Sequence, residues 1–196
     1  FISMTSPPAS AIPAHEARPL RADARRNRER ILKAARAVFA DQGIDAQIDD
    51  VAKRAKVGVG TVYRHFPTKE QLLDAIVREH FEAIAEMARG ALEAEDGWTG
   101  FCQLLWSAAE RNAADRSLCE VMSARDKSDV VEECGLAAMT SELMTRAKAE
   151  GTMRADATPL DVPVIMIGVS AVMQTLPGEE PWRRYIALML DGLRAS

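Results

Sequence analysis

The stretch that decides the fold is VGVGTVYRHFPTKEQLL, from Val57 to Leu73. Its first nine positions combine two glycines, a threonine, a tyrosine, an arginine and a histidine. Val62 and Phe66 stand at helical spacing, which predicts a short helix that Pro67 ends. The polar residues between them predict a helix with one side in the core and the other available to a partner.

Helical spacing continues on both sides of this stretch. An apolar stripe at i, i+4, i+7 and i+8 begins at Ile31 and predicts a helix that Gly43 ends. Downstream, Thr68 is the predicted N-cap of a long helix, with Gln71 three residues on as in a capping box. The alternating pattern of a β-strand is absent from the sequence, so we expect an all-α fold.

A second short helix is predicted from Ile48 to Ala55, between the helix that Gly43 ends and the helix that contains Val62. Gln47 is a poor N-cap for it, and Asp45 is an alternative start. The spacing to the Val62 helix is that of a helix-turn-helix, and Val57 can fill the space under the turn.

The two glycines of the opening stretch lie at the start of the third helix. Gly58 and Gly60 remove bulk where a backbone must approach a DNA duplex and where free N–H groups attract phosphate. Glycine in a helix costs about 1 kcal/mol relative to alanine, so two together need a reason. Close approach to a partner is one.

Charge is distributed unevenly along the chain. The net charge of −4 combines a basic segment, with 13 Lys and Arg against 6 Asp and Glu between Arg18 and Lys69, and an acidic remainder of 12 against 23. The basic segment has a net charge of +7 and the remainder −11. A solvated helical face explains many such clusters, but a one-sided distribution favours contact of the first third with a polyanion.

These residues together resemble the DNA-binding head of the TetR family of transcriptional regulators. The similarity covers about 50 residues from Arg28 to Ile76, through RERILKAARAVFADQG and IDDVAKRAKVGVGTVYRHFPTKEQLL. The resemblance implies that the third helix enters the major groove, where four residues face or border base edges: Val59, Gly60, Thr61 and Arg64. It also implies phosphate contacts from Tyr63, His65 and Lys69.

Three positions depart from the usual pattern of that family. Lys56 stands in the turn where glycine is common, Gly58 replaces serine at the third helix's N-cap, and Gln47 replaces threonine or serine. Lys56 is interpreted as an additional phosphate contact, with a solvated lysine as the alternative. Four arginines either solvate the first helix or form an arm that reaches a phosphate or an adjacent minor groove: Arg25, Arg26, Arg28 and Arg30.

The C-terminal two thirds are expected to form further helices over residues 98–114, 118–125, 128–150 and 159–176, and a last one from Pro181. The last two are apolar enough to pair with their copies across a twofold axis as a four-helix bundle, which is how the TetR family usually dimerises. The predicted interface consists of Val169, Val172, Met173, Trp182, Tyr185, Ile186, Met189 and Leu193.

A cavity for a small ligand is implied by the family resemblance, and methionine and aromatic side chains suit varied apolar ligands. Its predicted lining is Phe101, Cys102, Leu105, Trp106, Met122, Met139, Leu143 and Met144, and plain core packing is the alternative for each residue. The ligand is expected to be a small apolar or amphipathic molecule of unknown identity. Cys102, Cys119 and Cys134 are expected to be free thiols without a metal or a disulfide.

The predicted organisation is a disordered leader over residues 1–18, a three-helix DNA-binding head over 19–67, and a helical ligand-binding and dimerisation domain over 68–196, linked by helix 68–93. The expected function is a cytoplasmic homodimeric repressor released from a palindromic operator by a ligand, with no cofactor and no membrane contact. An enzyme is disfavoured because catalytic motifs are absent from the sequence. A scaffold that has lost DNA binding, an activator and a nucleoid protein remain alternatives.

Overall fold

The computed structural model describes residues 14–114 and 127–195, and side chains from residue 23 onward. Within these ranges the regular structure is helical, apart from an isolated bridge between Met153 and Arg194. The all-α prediction is confirmed. The helices are α1 (Ala14–Gln42), α2 (Ile48–Ala55), α3 (Val59–His65), α4 (Lys69–Leu92), α5 (Gly97–Ala114), α6 (Ser128–Glu133), α7 (Leu136–Ala149), α8 (Asp161–Thr175) and α9 (Glu180–Leu193).

The first three helices and the start of α4 enclose one hydrophobic core, which we call the head core. α1 ends as predicted at Gly43, whose φ of 78° is in the left-handed region and whose N–H donates to Phe39 O at 3.0 Å. Each fully buried aliphatic or aromatic side chain stabilises such a core by roughly 1.5–3 kcal/mol. Its most buried members are Ile31, Ala35, Val38, Val51, Ala52, Val62, Leu72 and Ile76.

α4 runs from the head core into a second hydrophobic core, which we call the body core. The Thr68 hydroxyl caps the helix as predicted, because its Oγ1 accepts from the Gln71 N–H at 3.2 Å. The first half of α4 packs into the head core through Leu72 and Ile76, and the second half packs into the body core through Ile84 and Ala88. The same helix is therefore part of both cores.

α5 packs very closely against α4 and α7. A Cβ added to Gly100 would lie 2.4 Å from Ala91 O in α4 and 2.7 Å from Leu143 Cδ2 in α7. The turn between α4 and α5 is held by α7, since Arg146 donates to Leu92 O at 2.8 Å and to Ala94 O at 3.1 Å. Close helix contact and capped helix ends fix the body at this point.

Two expectations about element bounds differ from the structure. The single helix predicted over 128–150 is wrong, because Gly135 takes a left-handed φ of 74° and separates α6 from α7. α1 begins at Ala14, so the last five residues of the predicted leader are helical. α2 spans Ile48–Ala55 as predicted, not from the alternative start at Asp45, and Gln47 is an N-cap that makes no side-chain cap bond. Residues 1–13 and the helix predicted over 118–125 lie outside the described residues.

None of the helices in the described part of the chain combines the length and hydropathy needed to cross a membrane.

The close approach at Gly100 leads to a stability prediction. Gly100→Ala should lower the free energy of unfolding by about 1–3 kcal/mol, because α5 must move away from the α4 backbone to make room for the methyl group. Gly90→Ala is the matched control, since a Cβ there meets nothing within 4 Å. It should be neutral or stabilising by up to about 1 kcal/mol, as expected for alanine in a helix. Urea unfolding of both variants measures the difference, and an undiminished stability of Gly100→Ala would contradict the packing.

Candidate nucleic-acid interface

The third helix has one buried side and one exposed side. Val62 is fully buried in the head core, whereas Val59 and Tyr63 are 36% and 46% exposed. Gly60 and Arg64 are exposed as well, and the spacing of these four residues places them on one side of α3. An exposed valine and tyrosine beside an arginine give a surface able to make apolar, stacking and charged contacts.

The glycines of α3 have no packing reason inside the protein. A Cβ on Gly60 would meet nothing within 4 Å, and a Cβ on Gly58 would lie 3.9 Å from Thr61 Oγ1, an ordinary contact. Alanine at Gly60 would fit the free protein and favour the helix, whereas Gly58 is the N-cap of α3, where glycine is preferred to alanine. Packing within the described residues therefore does not require the small size of Gly60.

Positive charge on this surface is uncompensated. Lys56 and Arg64 are exposed, and within the described residues their side chains make no ion pair or hydrogen bond. The exposed cations of α2 differ, because each is paired with a carboxylate: Lys53 with Asp50 at 3.1 Å and Arg54 with Asp41 at 2.6 Å. Cations without acidic neighbours are the ones available to phosphate.

Two further cations lie against aromatic rings of the head core. Lys69 Nζ is 5.9 Å from the centroid of the Phe39 ring, and Arg28 Cζ is 5.4 Å from the centroid of the Phe66 ring. Cation–π contact holds each charged group near the head without neutralising it. Both are predicted DNA-contact residues, and Phe66 directly follows α3.

The remaining predicted contact residues lie at the margin of this surface. Thr61 and His65 are half-buried on the flanks of α3. Arg25 is exposed on α1, where its Nε is 3.5 Å from Glu29 Oε1 in the same helix. The structure thus brings the predicted α3 residues together, and Arg25 projects from α1 as a separate group.

The turn between α2 and α3 contains a feature that the sequence reasoning missed. Lys56 takes the left-handed conformation, with φ 55° and ψ 45°, a region that costs an L-residue roughly 1–2 kcal/mol. Arg30 of α1 donates its Nη2 to Ala55 O at 2.7 Å and to Lys56 O at 3.2 Å. Because family members usually have glycine at this turn, the sequence could indicate the left-handed conformation of Lys56. The contact with Arg30, 26 positions earlier, leaves no pattern in the sequence.

The predicted ligand-pocket residues fall into two groups. Phe101, Leu105, Leu143 and Met144 are buried members of the body core. Cys102 and Trp106 line a surface groove of about 460 Å³, together with Trp98, Thr99, Gln103, Ser107 and Arg194. Met139 is half-buried against the body core, and Met122 lies outside the described residues.

The cysteines of the described residues are free. Cys102 and Cys134 are half-buried thiols, and Cys119 lies outside these residues. Burial raises the pKa of the Cys102 thiol to about 11, although the nearby Arg194 lowers it in part. Among the described side chains, over residues 23–114 and 127–195, no three His, Cys, Asp or Glu residues are placed to hold a metal ion.

The predicted dimer residues require a correction. Val169, Met173, Trp182, Ile186 and Leu193 are at most 8% exposed, because α8 and α9 bury them in the body core of their own chain. They are therefore unavailable to a second copy, while Val172, Tyr185 and Met189 are half-buried. The exposed apolar residues lie on another side of the same segment: Leu160 (75%), Val164 (64%), Ile167 (67%), Leu176 (47%) and Leu188 (46%).

Comparisons with known proteins agree with this architecture. Residues 31–76 match the family model of bacterial regulatory proteins of the tetR family, and residues 93–195 match that of the C-terminal domain of SbtR-like transcriptional regulators. The crystal structure of a TetR transcription regulatory protein from Mycobacterium vanbaalenii is 32% identical, with a TM-score of 0.64 over 90% of this chain and 100% of that chain. The fatty acid degradation regulator FadR from Bacillus halodurans is 25% identical, with a TM-score of 0.67 over 85% of this chain and 99% of that chain.

Curated relatives match over a shorter length. The HTH-type transcriptional repressor KstR of Mycolicibacterium smegmatis is 40% identical over 92 residues, which are 46% of this chain and 44% of KstR. For the relative TtgW of Pseudomonas putida the matched share is 50% of its length, so the chain spans half or less of these two relatives.

A helical body behind a helix-turn-helix head with an exposed α3 is the architecture of bacterial transcriptional regulators. With matches that extend over the head and the body, the chain belongs to the TetR family.

Proposed function

We propose that this chain is a homodimeric repressor that binds a palindromic operator through α3 and leaves it when a small ligand binds the body. In the proposed complex, Val59, Gly60, Thr61 and Arg64 face base edges, and Lys56, Tyr63, His65 and Lys69 hold phosphates. Arg25 and Arg28 contact the backbone beside the site. As a bacterial regulator of transcription, the protein would act in the cytoplasm.

The observation that carries the proposal is the exposed side of α3. It combines uncompensated cations with Gly60, a helix glycine whose small size the free protein does not need. A helix that must lie within van der Waals distance of base edges explains both features, because each added methyl group would hold the backbone away from the duplex.

Gly60→Ala separates this explanation from a role in folding. The variant should be as stable as the wild type or more stable by about 0.5–1 kcal/mol, because alanine favours the helix. Its affinity for DNA should fall roughly ten- to hundredfold, the cost of a misfitting methyl group of about 1–3 kcal/mol. Fluorescence anisotropy on one DNA fragment measures this, with Gly90→Ala as the control that should bind normally. Unchanged affinity of Gly60→Ala would remove the close-approach explanation.

Dimerisation is proposed on the exposed apolar stripe formed by Leu160, the N-cap of α8, together with Val164 and Ile167 of that helix. The spacing i, i+4 and i+7 makes it one continuous stripe, and Leu188 adds an exposed leucine on α9. Stripes of this kind on a monomer mark interaction sites. A second copy is the expected partner because the family usually dimerises through its last two helices, and a head with a seven-residue reading helix needs a second half-site for specificity.

A charge on this stripe should separate the subunits. Val164→Glu is expected to convert the dimer to a monomer in light scattering, because an ionised carboxylate in an apolar interface is strongly disfavoured. Ala138→Glu adds the same charge at an exposed site on α7 and should leave the dimer intact. A Val164→Glu dimer with unchanged dissociation constant would place the interface elsewhere.

The ligand is proposed to be an apolar or amphipathic molecule held at the body, where Cys102 and Trp106 line the described groove. These two side chains pack against the body core, which includes Phe101, Leu105 and Leu143. Coupling between ligand and operator must be reciprocal, so operator DNA weakens ligand binding by the factor by which ligand weakens operator binding. α4 is the proposed connection, since it packs into both cores.

Alkylation of Cys102 by iodoacetamide reports whether a compound occupies this groove. The thiolate is the reactive form, and the thiol pKa is raised to about 11, so the rate should rise about tenfold per pH unit from neutral pH towards that value. A compound that releases operator DNA should slow labelling of Cys102 and leave the half-buried Cys134 unaffected, as measured by peptide mass spectrometry. A releasing compound that does not slow Cys102 labelling binds at another site.

A further inference from the structure

Arg30 makes a contact that belongs neither to the head core nor to the proposed DNA contacts. It lies on α1, is exposed, and reaches the end of α2 rather than solvent alone. Its Nη2 is 2.7 Å from Ala55 O and 3.2 Å from Lys56 O, and its Nη1 is 3.4 Å from Asn27 Oδ1. The guanidinium is thus anchored at the turn of the helix-turn-helix.

The two carbonyls that Arg30 binds belong to a turn in an unfavourable conformation. Among the described non-glycine residues, Lys56 has the positive φ of 55°. Backbone bonds from the Lys56 N–H to Lys53 O at 3.2 Å and from the Val57 N–H to Ala52 O at 3.1 Å close the end of α2. The Ala55 and Lys56 carbonyls accept neither of these backbone bonds. The Arg30 guanidinium donates to both of them instead, and its positive charge interacts favourably with the negative C-terminal end of the α2 dipole.

The turn sets the direction of the recognition helix. Gly58, the N-cap of α3, follows Lys56 by two residues, so a change of φ and ψ at Lys56 redirects the whole of α3. α3 has only seven residues and is fixed to the head core through Val62 and the adjoining Phe66. Its exposed side therefore depends on the turn for its angle to the DNA.

We propose that Arg30 is a positioning residue for DNA recognition, which holds the left-handed Lys56 turn and thereby the orientation of α3. This inference rests on the proposed DNA-binding function of α3. In this proposal Arg30 binds the carbonyls of Ala55 and Lys56 and does not contact a DNA phosphate. The contact also explains how the turn accommodates Lys56, where a glycine would adopt the left-handed conformation without strain.

The first test uses the free protein and is independent of DNA. Arg30→Met keeps the aliphatic stem and helix propensity but removes the donor and the charge. Hydrogen exchange followed by NMR should become about tenfold faster at the Lys56 and Val57 amides, the loss expected for a charge-assisted hydrogen bond, while core amides such as Val38 remain protected. Lys33→Met is the control, because it removes a charge from the same helix and the Lys33 side chain has no hydrogen bond or ion pair among the described residues. It should leave exchange at the Lys56 and Val57 amides unchanged. Unchanged exchange at both turn amides in Arg30→Met would overturn the proposal.

The second test separates positioning from phosphate contact. Arg30→Met should weaken binding to a DNA fragment that the wild type binds by about tenfold, with an unchanged dependence of affinity on salt. A phosphate contact would instead reduce the slope of log affinity against log salt by about 0.9. A reduced slope, or an affinity equal to that of the wild type, would overturn the positioning role. If the wild type binds no DNA while the exchange result holds, the proposed function fails and the turn contact stands.

The third test asks whether Arg30 acts through Lys56. In a Lys56→Gly background the turn needs less support, so Arg30→Met should cost clearly less affinity than it does in the wild type. Equal losses in both backgrounds would overturn the coupling. If Arg30→Met is unfolded in the wild-type background but folded together with Lys56→Gly, the result supports the coupling between Arg30 and Lys56. If Arg30→Met is unfolded in both backgrounds, the result contradicts that coupling.

Discussion

The packing of α4 into two hydrophobic cores is the constraint on which the rest of the structure depends. Leu72 and Ile76 belong to the head core and Ile84 and Ala88 to the body core, so one helix links the packing of the two cores. Phe81, between these pairs, packs against both cores. Ion pairs extend the connection, from Arg36 of α1 to Glu79 at 3.0 Å and from Arg78 to Glu133 of α6 at 2.6 Å. Because interiors are close-packed, such an element moves as a unit rather than bending locally.

The recognition surface is built at some cost to stability. Helix propensity disfavours glycine in α3, Lys56 occupies a left-handed turn, and neither Gln47 nor Gly58 supplies a side-chain cap. The head core offsets these terms, and Arg30 adds support from a different helix. Local departures of this kind concentrate where a protein meets its partner, and here they surround the exposed side of α3.

The head could be predicted from the sequence because its information is local. Gly43 predicted the end of α1 and Thr68 predicted the start of α4, and the stretch around Gly60 carried the family resemblance. The rest depends on tertiary packing. α8 is apolar on nearly all sides, so its composition could not distinguish the buried Val169 from the exposed Val164. The break at Gly135 depends on a backbone conformation, and the Arg30 contact joins residues too far apart in sequence for any periodic pattern.

Selection of bound fragments from a random DNA pool at moderate salt, followed by titration of the enriched site, tests the central claim most directly. A homodimer that reads DNA through two copies of α3 should enrich a palindrome whose half-sites are about one helical turn, roughly 34–36 Å, or a multiple of it apart. The enriched site should be bound far more tightly than scrambled DNA at the same salt. Weak, strongly salt-sensitive binding without an enriched sequence would contradict sequence-specific recognition, and the head would then be a nonspecific or degenerate DNA-binding unit.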